Sequence, residues 1–196
     1  MPTAFHLEPF KTDVSMATMG SKNITITVMP YSISEKDFIV RPAHIGDCPT
    51  ILAFIKQLAE YEKLAHEVVA TEEKLQKTLF GEHPGAEVII AEYQGSAVGF
   101  ALFFTNYSTF LAKPGIYLED LYVQPDMRGR GFGKQLLIHL AGLAHQRDCG
   151  RLEWSVLDWN QPAIDFYKSL GAESMDDWTV NRLSGESLMT LANRKS

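Results

Sequence analysis

A chain of 196 residues, 45% of them apolar, is long enough to bury the core of one globular domain. Its formal net charge of −6 disfavours a nucleic-acid-binding protein, which usually has a basic surface, and suits a cationic ligand. Cys48 and Cys149 are too few for a disulfide framework. No apolar run approaches the ~20 residues of a membrane helix. We therefore expect a soluble cytoplasmic protein with neither a nucleic acid nor a membrane as partner.

The beginning of the chain differs in pattern from the rest. Residues 1–37 show no sustained hydrophobic period, and we interpret them as a partly disordered N-terminal extension that precedes one domain over residues 38–196. Within the extension, NITITV (23–28) alternates polar and apolar residues and predicts a short strand.

A strand and two helices are predicted at the start of the domain. FIVRPA (38–43) is typical of a short strand, and Asp47 is expected to cap a helix that runs to about Leu64. Thr71 is expected to begin a second helix, which Gly81 ends.

The next segment predicts three strands. EVIIAEY (87–93) and AVGFALFF (97–104) flank the turn QGS and are typical of a hairpin, and IYLEDLYV (116–123) predicts a third strand. A period of two in this strand predicts one face with Tyr117, Glu119, Leu121 and Val123, and the other with Leu118, Asp120 and Tyr122.

The last part of the chain predicts two helices and further strands. The segment RGRGFGKQLL (128–137) leads into a helix, RLEWSVL (151–157) predicts a strand, and Asn160 is expected to cap a helix through Tyr167. Apolar residues in 178–183 and 188–191 predict closing strands. This order indicates an α/β (α+β) domain around a mixed sheet.

The glycines in RGRGFGKQLL indicate a phosphate site, because glycine lets an anion approach the backbone N–H groups at a helix start. A P-loop is excluded, because Arg128 stands where its first glycine is needed and Gln135 where Ser or Thr binds magnesium. A dinucleotide fingerprint beginning at Gly129 is excluded too, because Lys134 replaces its last glycine.

The pattern that remains is Arg or Gln, then xxGx, then Gly or Ala, and it is met by Arg128, Gly131 and Gly133. With YLEDLYV, WNQPAIDFYKSLGA, FIVRPA and LAEYEK, it makes the chain resemble the GNAT superfamily of acyl-coenzyme A-dependent N-acetyltransferases. Within that superfamily the chain is similar to the diamine and thialysine acetyltransferase branch. The resemblance covers about residues 38–191. It implies a GNAT-like fold, with a mixed, mostly antiparallel central sheet flanked by helices.

Acetyl transfer to an amine requires removal of the ammonium proton, stabilisation of the thioester oxygen as it gains charge, and protonation of the leaving thiolate. The resemblance implies that Glu119 accepts the amine proton through water and that Tyr167 protonates the thiolate of coenzyme A. Both are expected to be catalytic residues.

The resemblance also implies acetyl-CoA (coenzyme A) as the cofactor. Its pantetheine arm is expected on the main chain of Leu121, Tyr122 and Val123 and on Asn160, although a role as helix cap explains Asn160 equally well. The diphosphate is expected on the segment made of Arg128, Gly129, Arg130, Gly131, Phe132, Gly133 and Lys134.

The expected acceptor is a small cationic amine: a diamine, a polyamine or a thialysine-like compound. The residues expected to bind it are Tyr61, Glu62, Glu119, Glu153, Trp154 and Asp176. The six histidines show no metal-ligand spacing, so no metal is expected. Two alternatives stay open: an acetyltransferase for protein N-termini or lysines, and an acyl-CoA-binding module without turnover. The family resemblance further implies a homodimer.

Overall fold

The computed structural model describes residues 37–194, so the strand expected at 23–28 lies outside the described residues. Five strands form one sheet in chain order, with the first four antiparallel and the fifth parallel to the fourth. The predicted mixed, mostly antiparallel sheet is confirmed. The strands are β1 (Phe38–Pro42), β2 (Glu87–Tyr93), β3 (Ser96–Ser108), β4 (Lys113–Val123) and β5 (Leu152–Trp154).

Helices pack on both faces of this sheet. They are α1 (Cys48–Tyr61), α2 (Glu72–Phe80), α3 (Phe132–Gln146), α4 (Gln161–Ser169) and α5 (Gly185–Ala192). The buried hydrophobic residues divide into two clusters, one between the sheet and α3 and one between the sheet and the pair α1 and α2. Each fully buried Leu, Ile or Phe in these clusters contributes about 1.5–3 kcal/mol.

Local signals place most helix ends where the sequence predicts them. Thr71 Oγ1 accepts a hydrogen bond from the Lys74 N–H at 3.2 Å, and Gly81 follows the last residue of α2. Asp47 precedes α1 as predicted, but its side chain does not cap the helix. Its carboxylate instead binds the Arg41 guanidinium and accepts the His44 N–H at 2.8 Å. This pairing joins β1 to the start of α1.

The prediction that β4 alternates strictly between its two faces is wrong. Phe103 pairs with Leu118, and Leu102 pairs with Asp120, so Glu119 is an extra residue in a β-bulge. Before the bulge Leu118 packs toward α3, and after it Leu121 packs on the same side. Tyr122 belongs to the cluster under α1. The bulge therefore changes which side chains face the helices.

The end of the chain also departs from prediction. Residues 178–183 form no strand, and residues 188–191 lie in α5. Leu188 and Leu191 stand three positions apart, a spacing that suits a helix, while a strand would need hydrogen bonds to a neighbouring strand. The strand expected at 151–157 is reduced to β5, and α1 ends at Tyr61 instead of Leu64. Among residues 37–194, no helix is long and apolar enough to cross a membrane.

Candidate active site

A cavity of about 650 Å³ opens beyond the point where the pairing of β4 with β5 ends. The last paired residues are Leu118 and Trp154. Residues 119–123 of β4 and residues 155–157 after β5 both line the cavity. Because β4 continues to Val123 without β5 beside it, the outward main-chain groups of its last residues are open to this space.

The glycine turn forms one end of the cavity. Gly129 and Gly131 have φ angles of 75° and 85°, and no heavy atom lies within 4 Å of the place where a Cβ would stand on either residue. Gly131 is the N-cap of α3 and leaves the first turn of that helix without a side-chain cap. Gly133 and Lys134 also line the cavity. Uncapped N–H groups beside a lysine suit an anion such as a diphosphate.

Arg128 is held against the wall of the cavity by aromatic rings. Its guanidinium lies 4.8 Å from the centre of the Tyr61 ring and 5.7 Å from that of Tyr122, and its Nε donates to the Val123 carbonyl at 3.0 Å. Arg130, by contrast, lies over the Tyr93 ring and is not among the residues that line the cavity. The two arginines of the motif therefore have different surroundings.

Three carboxylates line the same cavity. Glu62 follows α1 directly, while Glu119 and Asp120 belong to the bulge of β4. Burial raises the pKa of Asp120 to about 6, with smaller contributions from the charges of Glu119 and Glu62. Burial also raises the pKa of Glu62. The cluster favours a cation and contains a base that is charged at neutral pH.

Tyr167 reaches the cavity from α4. Its ring is half-buried and packs against Trp154, with the ring centroids 5.0 Å apart. Burial, and secondarily the charge of Glu62, raise the pKa of Tyr167 to about 12. The hydroxyl is therefore protonated at neutral pH and can act as a proton donor.

Comparisons with known proteins agree with this geometry. Residues 54–172 match the sequence model of the Acetyltransferase (GNAT) family. The chain belongs to the GNAT acetyltransferase family. It is 40% identical over 167 residues to the thialysine N-epsilon-acetyltransferase of Sus scrofa, an alignment that covers 80% of this chain and 98% of the relative. It is 34% identical to L-ornithine N5-acetyltransferase NATA1 of Arabidopsis thaliana, over 78% of this chain and 86% of that protein.

A solved structure shares the fold of this chain. The integron cassette protein VCH_CASS6 of V. cholerae superposes with a TM-score of 0.69 and 29% identity, over 81% of this chain and 99% of that one. This GNAT acetyltransferase is an N-acetyltransferase, and its acetyl donor is acetyl-CoA. The uncapped start of α3 fits the diphosphate of that donor, and the open edge of β4 fits its extended arm.

Most residues that the sequence marks as site candidates come together in the acetyltransferase cavity. Glu153 does not line it, because its carboxylate accepts from Asn106 Nδ2 and pairs with Arg151, both at 2.8 Å. Asp176 is exposed and also lies outside the lining. The lining residues among the candidates are Tyr61, Glu62, Glu119, Leu121, Tyr122, Val123, Arg128, Gly129, Gly131, Phe132, Gly133, Lys134, Trp154, Asn160 and Tyr167.

Asp120 is the site residue that the sequence interpretation did not assign. Strict alternation placed it on the face opposite Glu119, whereas the bulge leaves both residues on the cavity. Two adjacent acids inside an otherwise apolar strand were the signal that could have identified it. Within the described chain, no group of three His, Cys, Asp or Glu side chains is arranged to hold a metal ion.

Proposed function

We propose that this acetyltransferase transfers the acetyl group of acetyl-CoA to a terminal primary amine of a small, linear, cationic substrate. The observation that carries the proposal is the convergence of Glu62, Glu119 and Asp120 on the cavity that also contains the glycine turn. Negative charge beside an apolar wall attracts an ammonium group and holds it near a base. The relatives acetylate the epsilon nitrogen of thialysine and the N5 nitrogen of ornithine, which supports an acceptor with an amine at the end of a chain.

The acetyl donor is proposed to lie along the open edge of β4. The main chain of residues 121–123 and the Asn160 side chain would hold its extended arm, and the N–H groups of residues 129–134 its diphosphate. Lys134 lies beside the glycine turn and supplies a positive charge. When bound, acetyl-CoA supplies a thioester whose carbonyl carbon forms a bond to the amine nitrogen while its bond to sulfur breaks.

Proton transfer is proposed to begin at the acids of the β4 bulge. An ordinary amine has a pKa of ~10.4, so at neutral pH it is an ammonium group without a free lone pair, and the protein must remove its proton. Asp120 is charged above pH 6 and accepts that proton, and the exposed Glu119 beside it passes the proton to water. Tyr167 gives its hydroxyl proton to the departing sulfur.

We also propose a cytoplasmic homodimer. Apolar side chains at the end of the chain are largely exposed, with Trp178, Val180 and Met189 at 70%, 79% and 60%. The described chain has two unpaired cysteines, Cys48 and Cys149, which suits a reducing compartment. Sedimentation velocity of the full chain tests the dimer: a monomer across micromolar concentrations would contradict it.

The function is tested by measuring release of the coenzyme A thiol from acetyl-CoA. The acceptors are thialysine, lysine, ornithine, putrescine, spermidine and a peptide with an unmodified N-terminus. We expect a clear rate with at least one small amine. We expect Tyr167→Phe to lower kcat by about 100-fold while calorimetry shows unchanged acetyl-CoA binding. Tyr107→Phe, at an exposed residue of β3 outside the cavity, is the matched control.

Two results would contradict the proposal. Turnover with the peptide alone would favour a protein acceptor. Binding of acetyl-CoA without thiol release for any acceptor would favour a binding module.

A further inference from the structure

Tyr61 and Asn160 form a hydrogen bond that links two separate parts of the site. The Tyr61 hydroxyl, on the last residue of α1, donates to Oδ1 of Asn160 at 3.1 Å. Asn160 is the N-cap of α4 and is only 8% exposed. Its Oδ1 also accepts the Ala163 N–H at 3.4 Å, which sets the orientation of the amide group. A single oxygen therefore serves both the helix cap and the contact with α1.

Each side of this bond carries a group of the proposed chemistry. Glu62, of the acid cluster, is the residue after Tyr61. Tyr167, the proposed proton donor, lies on α4, the helix that Asn160 caps. The charge of Glu62 contributes to the raised pKa of Tyr167, so the two groups are close enough to interact. The bond from Tyr61 to Asn160 joins the backbone segments that hold them.

The Tyr61 ring is also held by neighbours other than Asn160. The Arg128 guanidinium lies 4.8 Å from the ring centre, and the Trp159 ring centroid is 6.0 Å away. The hydroxyl is already bonded within the protein, so it is not simply presented to the cavity. Tyr61 is among the residues that the resemblance implies for amine binding, and a contact from its hydroxyl to the amine would compete with that bond.

We propose that Tyr61 is a positioning residue, whose hydrogen bond to Asn160 sets the separation between Glu62 and Tyr167. It acts on the chemical step rather than on amine binding. The inference rests on the proposed acetyl transfer to a small amine. A reaction in which one wall holds the ammonium group and the other protonates the departing sulfur is sensitive to small changes in the separation of the two walls.

The test is Tyr61→Phe, which removes the hydroxyl and keeps the ring against Arg128 and Trp159. At saturating acetyl-CoA we expect kcat to fall about tenfold, as for loss of one buried hydrogen bond, with the acceptor KM changed less than about twofold. Tyr107→Phe is the matched control and is expected to keep the wild-type kcat. An increase in acceptor KM at unchanged kcat would overturn the proposal, because it indicates a direct substrate contact. Wild-type kcat in Tyr61→Phe would overturn it as well.

A double-mutant cycle tests whether the partner is Asn160. Asn160→Ser keeps a good helix cap, but its side chain is too short to reach Tyr61. At saturating acetyl-CoA, the double variant is expected to have the same kcat as Asn160→Ser, because the Tyr61 hydroxyl has no partner left to lose. A further tenfold fall in kcat from Asn160→Ser to the double variant would overturn the assignment.

A readout independent of turnover separates this inference from the proposed function. Hydrogen exchange at the α4 amides of residues 164–169 is expected to be several-fold faster in Tyr61→Phe than in the wild type, whereas the exchange rates of the α3 amides are expected to be the same in both. If the wild type transfers acetyl to none of the amines, the proposed function fails. Equal exchange in α4 of both proteins would then overturn the link between α1 and α4.

Discussion

Trp154, the last residue of β5, packs its indole against the ring of Tyr167, with the centroids 5.0 Å apart and the planes at 57°. Pairing of β5 with β4 ends at this same residue. The side chain that marks the opening between the strands therefore also supports the proposed proton donor. This contact connects the sheet topology to the position of a reacting group.

Removal of the Trp154 ring is expected to lower turnover through Tyr167. A tilted aromatic pair is worth about 0.5–1.5 kcal/mol, so Trp154→Ala is expected to lower kcat up to about tenfold. Trp154→Phe keeps an aromatic surface and should lose less. Steady-state rates at saturating donor and acceptor measure both variants. Equal kcat in Trp154→Ala and the wild type would show that Tyr167 does not need this support.

The activity is expected to depend on the ionisation of Asp120. Its pKa is about 6, and a base must be deprotonated to accept the amine proton. We expect kcat/KM to rise with pH through about pH 6. Asp120→Asn should remove this rise and lower kcat/KM at pH 7.5 by about 100-fold. Glu73→Gln, at an exposed residue of α2 outside the cavity, is the control. A rise retained in Asp120→Asn would assign the pH dependence to another group.

The charged Asp120 carboxylate is expected to lower the free energy of unfolding at neutral pH. The pKa of Asp120 is raised from 3.8 to about 6 in the folded protein. The folded state is therefore destabilised at pH values where Asp120 is charged. Asp120→Asn should therefore raise the free energy of unfolding by about 3 kcal/mol at pH 7.5. The gain should shrink as the pH falls from about 6 to 4 and disappear below about pH 3, where the folded and unfolded forms are both protonated. Urea unfolding at several pH values measures this, and a gain independent of pH would contradict the cause.

Asp47 is expected to show the opposite pH dependence. The Arg41 guanidinium, with help from the His44 N–H, lowers the pKa of Asp47 below its usual 3.8. Its contribution to stability is present above pH 3.8 and is lost as the pH falls through the folded value. Asp47→Asn is expected to cost about 2 kcal/mol at pH 7 and less at pH 3. Unfolding curves at these two pH values test the prediction, and an equal cost at both would exclude the ion pair as its origin.

A side chain at Gly131 is expected to disturb donor binding. The φ of Gly131 is 85°, which L-residues rarely adopt, so Gly131→Ala forces the turn to change or strains it by about 1 kcal/mol. We expect the KM for acetyl-CoA to rise about tenfold, with the acceptor KM little changed. Gly142→Ala, in the exposed middle of α3 with open space around it, is the control. It should increase stability by about 0.5–1 kcal/mol and leave the KM unchanged.

Features governed by neighbours in the chain could be predicted from residue patterns. The Thr71 cap, the hairpin turn before β3 and the glycine start of α3 follow from side-chain chemistry and backbone preference over a few residues. Resemblance over several segments indicated the family. The apolar end of the chain was misread because residues 188–191 suit either a buried strand or one side of a helix, and only available partners decide between them.

The sequence by itself therefore determined the order of most elements and the family. Only the tertiary structure decided which side chains share the cavity. The bulge at Glu119 depends on how β4 pairs with β3, and it places Asp120 in the acid cluster. Glu153 is turned to Asn106 and Arg151, and Tyr61 meets Asn160, a residue 99 positions later. The physical reason is that these contacts join residues far apart in the chain, whereas the periods of helices and strands report only local geometry.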